Sequence, residues 1–212
     1  FLEHLLFKGT NKRSALDIAV AFDSVGGESN AETAREHTAY WARVRDADLD
    51  MAIETLTDMV TDSRLDDEDF AMERGVILDE LAMGEDSPTD TVHDTFQLAV
   101  HGDRPIGRPV GGTAQAIREV ERADVWEHYQ AHYGPSSLIV AAAGNVDHDS
   151  VCERVQAALE GSPWDACSAA APRPRRSTTV NPIADHDKDI TRRRDVTQAH
   201  VIIGCEGLAA TD

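Results

Sequence analysis

The sequence predicts an α+β fold in which helices pack on a mostly antiparallel sheet. Apolar residues recur at helical spacing in several segments, whereas Thr38–Val44 is rich in strand-forming residues. The predicted order is helix, helix, two strands, several helices, strand, helix and two strands. Strands that follow each other directly, beside grouped helices, favour this class over a doubly wound sheet.

The first predicted elements are two helices and a hairpin. A short helix opens the chain, and Gly9 stands where its C-terminal cap is expected. Ser14–Val25 predicts a second helix, with Ser14 as its N-cap and Gly26-Gly27 as its end. Glu28–Val44 has no helical period and predicts two strands with a turn near Ala34–Glu36.

Helices dominate the rest of the prediction, over residues 46–63, 66–85, 88–100, 113–120, 122–133 and 147–159, with a loop over 101–112. The continuous apolar run Leu138–Asn145 predicts a buried strand, and Ile190–Arg194 and Ala199–Cys205 predict two more. We expect residues 1–161 to form the first part of one domain. Residues 162–186, rich in Pro, Ala and Arg, read as a linker-like connection, and 187–212 as the truncated start of its second part.

The charge of the chain limits its partners. With 39 acidic and 20 basic residues, its formal net charge is -19. Such a surface repels nucleic acid and anionic membranes, so neither is an expected partner. No apolar run approaches the roughly 18 residues of a membrane span, so we expect none.

The cysteines indicate a reducing compartment. Cys152, Cys167 and Cys205 are widely spaced and form no CxxC motif. They therefore predict neither a disulfide framework nor a thiolate metal site, and we expect a cytoplasmic location.

Glu3 and His4 stand side by side in an otherwise apolar segment, which suggests a metal site. Ligands on one helix share a face at i and i+4, and the partner of His4 at that spacing would immediately precede Phe1. A histidine there would complete the H-x-x-E-H zinc pattern, in which Glu3 also faces the metal. The alternative is an ordinary pair on the surface of a helix.

Two further carboxylates lie on one predicted helix. Glu73 and Glu80 are two turns apart and point the same way, and Val76 and Ile77 lie between them on the same apolar face. Because an unpaired buried charge is costly, a metal or a buried basic partner would be needed there. Ordinary solvated helix glutamates are the alternative.

A series of segments together resembles the pitrilysin/insulinase family of zinc peptidases, close to mitochondrial processing peptidase and its bacterial relatives. The segments are Phe1–Thr10, Gly26–Ala31, Arg35–Tyr40, Glu73–Glu80, Gly107–Gly112, Ala141–Val146 and Gln198–Val201. Several blocks in the family's order are more specific than one five-residue motif. The resemblance implies one half of a clamshell fold, incomplete at both ends.

The resemblance also implies roles for four residues around a Zn²⁺ cofactor. Glu3 matches the general base, and His4 matches the second zinc ligand. Glu80 matches the third ligand, and Glu73 a second glutamate that supports the site. The first ligand, a histidine before Phe1, lies outside this chain.

Asn30 and Ala31 match an edge strand on which family members bind an extended substrate by strand addition. Glu32 departs from the family, whose members usually carry an aromatic residue there. His37 could be taken for a ligand, but the match places it in a structural strand. His128 and His132, at i and i+4, could bind metal adventitiously, but we expect them to be ordinary surface histidines.

These observations predict a zinc-dependent metalloendopeptidase that hydrolyses peptides or unfolded protein segments. Its active unit would need a homologous second half-domain or partner subunit, so the 212 residues alone are expected to bind zinc poorly and hydrolyse little. The alternative is a non-catalytic scaffold subunit of the same fold in a heterodimeric peptidase. A scaffold has no reason to keep Glu3, His4 and Glu80 together.

Overall fold

A computed structural model describes residues 1–165 and 189–205 of the chain. Within these ranges it has eight α-helices and one two-stranded antiparallel sheet, which confirms the α+β class. The helices are α1 (Leu2–Leu5), α2 (Ala15–Asp23), α3 (Leu49–Thr61), α4 (Asp67–Asp86), α5 (Pro88–His101), α6 (Ala114–Glu119), α7 (Arg122–His132) and α8 (His148–Glu160). No helix in the described ranges is long and apolar enough to cross a membrane.

The sheet consists of β1 (Glu28–Thr33) and β2 (Thr38–Arg43), as the sequence predicts. The strands are antiparallel, and Ala31 faces Tyr40 in their register. The turn between them closes through a 2.8 Å hydrogen bond from the Ala34 amide to the His37 carbonyl. His37 therefore lies in the turn before β2, so its predicted place in a strand is wrong.

The described residues divide into two compact units, and the first contains α1 to α3, the sheet, α7 and α8. Its buried side chains form two apolar clusters. One joins α1 to the start of α4 and to α7, and consists of Leu5, Leu6, Leu65, Phe70, Val125 and Tyr129. The other joins α2 to α3 and consists of Ile18, Phe22, Ala52 and Met59. Because Leu5 and Leu6 are fully buried, the first cluster fixes α1 in place.

The chain leaves α1 through an unusual backbone conformation at Gly9. The helix ends at Leu5, and Gly9 instead forms an antiparallel bridge with Ser14. Its φ of +134° is strained for any other residue, and an added Cβ would lie 3.1 Å from the Arg13 carbonyl oxygen. The prediction of Gly9 as a helix cap is therefore wrong, because the bridge, and not the helix end, requires glycine.

Helix α2 begins and ends as predicted. The Ser14 hydroxyl accepts a hydrogen bond from the Asp17 amide, and the Asp17 carboxylate accepts one from the Ser14 amide, forming a capping box. Beyond the helix, Gly26 has a φ of +66°, a left-handed conformation that ends helices and favours glycine.

The second unit comprises Ile77–Ile117 and the described residues 189–205. Within it, α5 begins at Pro88 with the Ser87 hydroxyl as its N-cap, close to the predicted start. The following loop carries only a short 3-10 turn, Pro105–Gly107.

Three predicted strands are absent from the structure. Leu138–Asn145 forms no strand and is largely exposed, with Ile139 at 67%. Ile190–Arg194 and Ala199–Cys205 also lack strand structure. A strand needs a neighbour for its backbone N–H and C=O groups, and the sheet of the described residues contains only β1 and β2. Most of the predicted linker 162–186 lies outside the described residues, so the domain boundaries stay predictions.

Candidate metal centre

Helices α1 and α4 bring His4 and Glu73 into direct contact. The Nδ1 atom of His4 donates to Oε2 of Glu73 across 2.7 Å. The side chain of Glu73 is only 4% exposed, and that of His4 is 22% exposed. The contact joins residues 69 positions apart in the chain, so it exists only in the folded protein.

A second basic group binds the other oxygen of the same carboxylate. Lys8 Nζ lies 2.6 Å from Oε1 of Glu73. Glu73 thus has a basic partner on each oxygen that compensates for its burial, and its alternative reading as a solvated helix glutamate is wrong. Burial raises the pKa of Glu73, but the hydrogen bonds from Lys8 and His4 outweigh burial and hold that pKa below its ordinary value.

Glu3 lies half-buried on α1, beside His4 but directed to a different partner. Its Oε2 accepts a hydrogen bond of 2.5 Å from the hydroxyl of Thr33, the last residue of β1. The carboxylate is therefore tied to the end of the strand that carries Asn30 and Ala31. Both members of the pair are thus held by another element, Glu3 by β1 and His4 by α4.

Glu80 differs from Glu73 in its burial. Helical spacing places the two on one face of α4, yet Glu80 is exposed. Val76 is 40% exposed, while Phe70, Glu73 and Ile77 are buried. The expectation that Val76 and both glutamates share a buried face is therefore wrong, because the buried stripe runs through Phe70, Glu73 and Ile77 and ends before Glu80.

The hydrogen bond to Glu73 suits His4 for metal binding. An imidazole that donates through Nδ1 carries its lone pair on Nε2, and metal-binding histidines commonly donate their other nitrogen to a carboxylate. Imidazole and carboxylate donors also match the preferences of zinc. Across the described residues, no group of three or more His, Cys, Asp or Glu side chains is assembled for a metal. His4 therefore fits a zinc ligand, whereas the complete ligand set stays a prediction.

The proposed substrate strand is placed beside this site. Asn30 is exposed on β1 and its side-chain oxygen accepts a hydrogen bond from the Ala31 amide, whereas Ala31 is buried. β1 pairs with β2 along one edge, and no other described strand pairs with it. Glu32 is exposed. A role for Asn30 and Ala31 in substrate binding stays a prediction.

Sequence reasoning missed two residues of this site, Lys8 and Thr33. Lys8 follows His4 by four positions, so helical spacing alone could have indicated that both reach one partner. No sequence signal pairs Thr33 with Glu3.

The two histidines of α7 lie close to each other, with the ring centroids of His128 and His132 4.4 Å apart. Burial and the neighbouring His132 lower the pKa of His128.

Comparison with protein families matches both parts of the chain. Residues 1–114 match the family described as insulinase (peptidase family M16), and residues 119–212 match the peptidase M16 inactive domain.

Relatives of known sequence extend the match over the whole chain. An uncharacterized zinc protease from Streptomyces coelicolor is 50% identical over 213 residues, covering 100% of this chain and 46% of its own length. An uncharacterized zinc protease from Bacillus subtilis is 33% identical, with coverage of 98% and 48%. Human cytochrome b-c1 complex subunit 1, a mitochondrial protein, is 35% identical, with coverage of 98% and 42%. The chain thus spans about half the length of these relatives.

Solved structures agree with the fold. A protease from Helicobacter pylori superposes with a TM-score of 0.73 and 26% identity, covering 81% of this chain and 42% of that protein. Pitrilysin superposes with a TM-score of 0.69 and 19% identity, covering 86% and 19%, which supports the fold alone. With its first 114 residues matching the family, and the whole chain aligning with proteins named zinc proteases, the chain belongs to the insulinase family of peptidases, M16.

Proposed function

We propose that the full-length protein is a zinc-dependent metalloendopeptidase that hydrolyses peptides or unfolded protein segments. The observation that carries this proposal is the hydrogen bond from His4 Nδ1 to the buried Glu73 carboxylate. A histidine held this way directs its Nε2 lone pair in a fixed direction, as metal-binding histidines do. The relatives named zinc proteases supply independent support.

Each site residue has a separate role in this proposal. His4 and Glu80 would hold the zinc together with a histidine preceding Phe1, and Glu73 would orient His4. Bound zinc would supply the Lewis acidity that polarises a peptide carbonyl and activates water. Glu3 would take the proton of the attacking water and deliver it to the leaving amine nitrogen. The Thr33 hydroxyl orients the Glu3 carboxylate for this task.

The substrate would bind as an extended chain. We expect a peptide to add to the edge of β1 at Asn30 and Ala31. The same strand ends at Thr33, whose hydroxyl binds Glu3, so the peptide would lie near the general base. A homologous second half or partner subunit would complete the clamshell around it. We also propose a cytoplasmic location, which the three widely spaced cysteines support.

A non-catalytic subunit is the second candidate function. It is favoured by the 35% identity to a protein named as a subunit of the human cytochrome b-c1 complex. It is disfavoured by the presence of Glu3, His4 and Glu80 in one chain, because each would serve the chemistry and not the scaffold.

The test uses the full-length protein and two variants. The wild type should bind zinc stoichiometrically by metal analysis and cleave a fluorogenic peptide library. Glu3→Gln should keep the zinc, but its rate of peptide cleavage should fall about 10²–10⁴-fold, because the substitution removes the general base. Glu68→Gln, the same change at an exposed position of α4, is the matched control and should change neither. A wild-type protein without zinc would contradict the proposal, and a zinc-bound protein that cleaves nothing would favour the scaffold.

A further inference from the structure

Lys8 and His4 bind the two oxygens of one carboxylate. His4 Nδ1 lies 2.7 Å from Oε2 of Glu73, and Lys8 Nζ lies 2.6 Å from Oε1. The two basic residues are four positions apart, so they reach Glu73 from the same face of the segment that begins with α1. The first segment of the chain therefore binds both oxygens of the Glu73 carboxylate.

Backbone hydrogen bonds hold the main chain at Lys8 close to α1. The Phe7 amide donates to the His4 carbonyl across 3.2 Å, and the Lys8 amide donates to the Leu5 carbonyl across 3.0 Å. Both bonds join residues three positions apart, so the chain continues in turns from the end of α1 at Leu5 to Lys8. Lys8 is 32% exposed, so its ammonium group keeps part of its contact with water while it reaches the buried carboxylate.

Two anchors restrain a carboxylate more than one does. A glutamate bound only through Oε2 can still rotate about its terminal torsion, which is broad, and the angle at which it meets Nδ1 would vary. A second contact at Oε1 fixes the plane of the carboxylate. The direction of the His4 ring, and hence of its Nε2 lone pair, is then fixed as well.

We propose that Lys8 is a positioning residue of the metal centre: by holding Oε1 of Glu73, it fixes Oε2 on His4 and so orients the imidazole toward zinc. The inference rests on the proposed function, in which His4 is a zinc ligand. Lys8 touches neither metal nor substrate and acts through Glu73. If the ion pair between Lys8 and Glu73 only stabilised the fold, its removal would lower the stability of the protein and leave the orientation of the His4 imidazole unchanged.

The test compares three variants of the full-length protein. Lys8→Met keeps the apolar stem and removes the ammonium group, Lys8→Arg keeps a charged donor, and Lys12→Met is the matched control. Lys12 is suitable because its side chain is 56% exposed and its Nζ lies 4.0 Å from Oδ1 of Asp58, farther than Lys8 Nζ lies from Glu73. Three readouts are taken: the zinc Kd from chelator competition, ¹⁵N spectra of the His4 ring in the metal-free protein, and the urea midpoint.

Lys8→Met should weaken zinc binding about tenfold, the lower end of the effect of removing outer-shell partners. The His4 ¹⁵N signals should shift from one tautomer toward an average of two. At saturating zinc, kcat should fall while KM stays unchanged, and Lys8→Arg should recover most of the loss. Lys12→Met should leave the zinc Kd, kcat and KM within twofold of the wild type and the His4 ¹⁵N signals unchanged.

Two results would overturn the inference: a Lys8→Met protein whose zinc Kd and His4 spectrum match the wild type, or an equal loss in Lys12→Met. If Lys8→Met does not fold, Lys8→Gln, which is shorter and neutral, replaces it with the same expectations. A wild-type protein that binds no zinc would refute the proposed function instead. In that case the spectra of the metal-free variants still decide whether Lys8 orients His4.

Discussion

Two carboxylates are buried almost equally in the first unit, yet they bind different kinds of partner. Glu73 is 3% exposed and Asp58 is 5% exposed. Glu73 binds His4 and Lys8, one on each oxygen. Asp58 binds the Thr10 hydroxyl and the Arg13 guanidinium, both through Oδ2, at 2.7 and 2.8 Å.

The partners show what each carboxylate does. Asp58 fastens the loop after α1 to helix α3, and none of its described hydrogen-bond partners is a candidate metal ligand. Its Oδ1 atom is buried without a hydrogen bond among the described residues, and Lys12 Nζ approaches it only to 4.0 Å, so the group is not fully satisfied. Glu73 has both oxygens bound, and one of them holds the histidine proposed to bind zinc. Burial alone therefore does not mark the functional carboxylate, whereas the chemistry of its partner does.

The largest expected effect is on stability at Asp58. Asp58→Ala leaves Arg13 and Thr10 without their buried acceptor and should lower the free energy of unfolding by about 3–5 kcal/mol, measured by urea denaturation. Its zinc Kd should stay close to the wild-type value. Glu54 binds the same guanidinium across 2.6 Å but is 64% exposed, so Glu54→Gln is a matched control expected to cost less than about 1 kcal/mol. Equal losses of unfolding free energy in Asp58→Ala and Glu54→Gln would contradict the structural role assigned to the buried Asp58.

An intermediate effect is expected at Glu73, on metal binding. Glu73→Gln keeps the shape of the side chain but weakens the acceptor for His4, so zinc affinity should fall about 10–100-fold, or about 1.4–2.7 kcal/mol. Chelator competition on the full-length protein measures this loss, with Glu68→Gln as the exposed control on the same helix. A stability loss larger than the loss in zinc binding would place Glu73 in the same class as Asp58.

The smallest effect is expected from pH, because it is absent near neutrality. The pKa of Glu73 is held below its ordinary value of 4.5, so its ionised form stabilises the folded state fully above that value. This contribution is lost as the pH falls through the lowered pKa. Urea unfolding of the metal-free protein between pH 7 and 3 should therefore show a steeper acid loss for the wild type than for Glu73→Gln. Parallel curves for the two proteins would contradict the assignment.

The helices could be predicted from the sequence because their signals are local. Ser14 and Gly26 mark the ends of α2, and Pro88 marks the start of α5, each through its own backbone preference. The run Leu138–Asn145 gave a wrong strand because strand formation depends on a neighbour that no local pattern reveals.

The candidate site was predictable only in part. The spacing of Glu3 and His4, and the resemblance to a peptidase family, indicated a metal centre. The resemblance gave Glu73 a supporting role, but nothing in the chain indicated that it would contact His4, which lies 69 positions away in the sequence. The different burial of Glu73 and Glu80 on one helix face follows from tertiary packing, which the helical period does not contain.

The packing of α1 has a consequence for how the site is held. Leu5 and Leu6 directly follow Glu3 and His4, are fully buried, and belong to one apolar cluster with Phe70 and Tyr129. These partners are distant in sequence, so the positions of Glu3 and His4 depend on tertiary packing and not on the local sequence alone. A substitution that empties this cluster should therefore disturb the metal centre even though it touches none of the residues proposed to bind zinc.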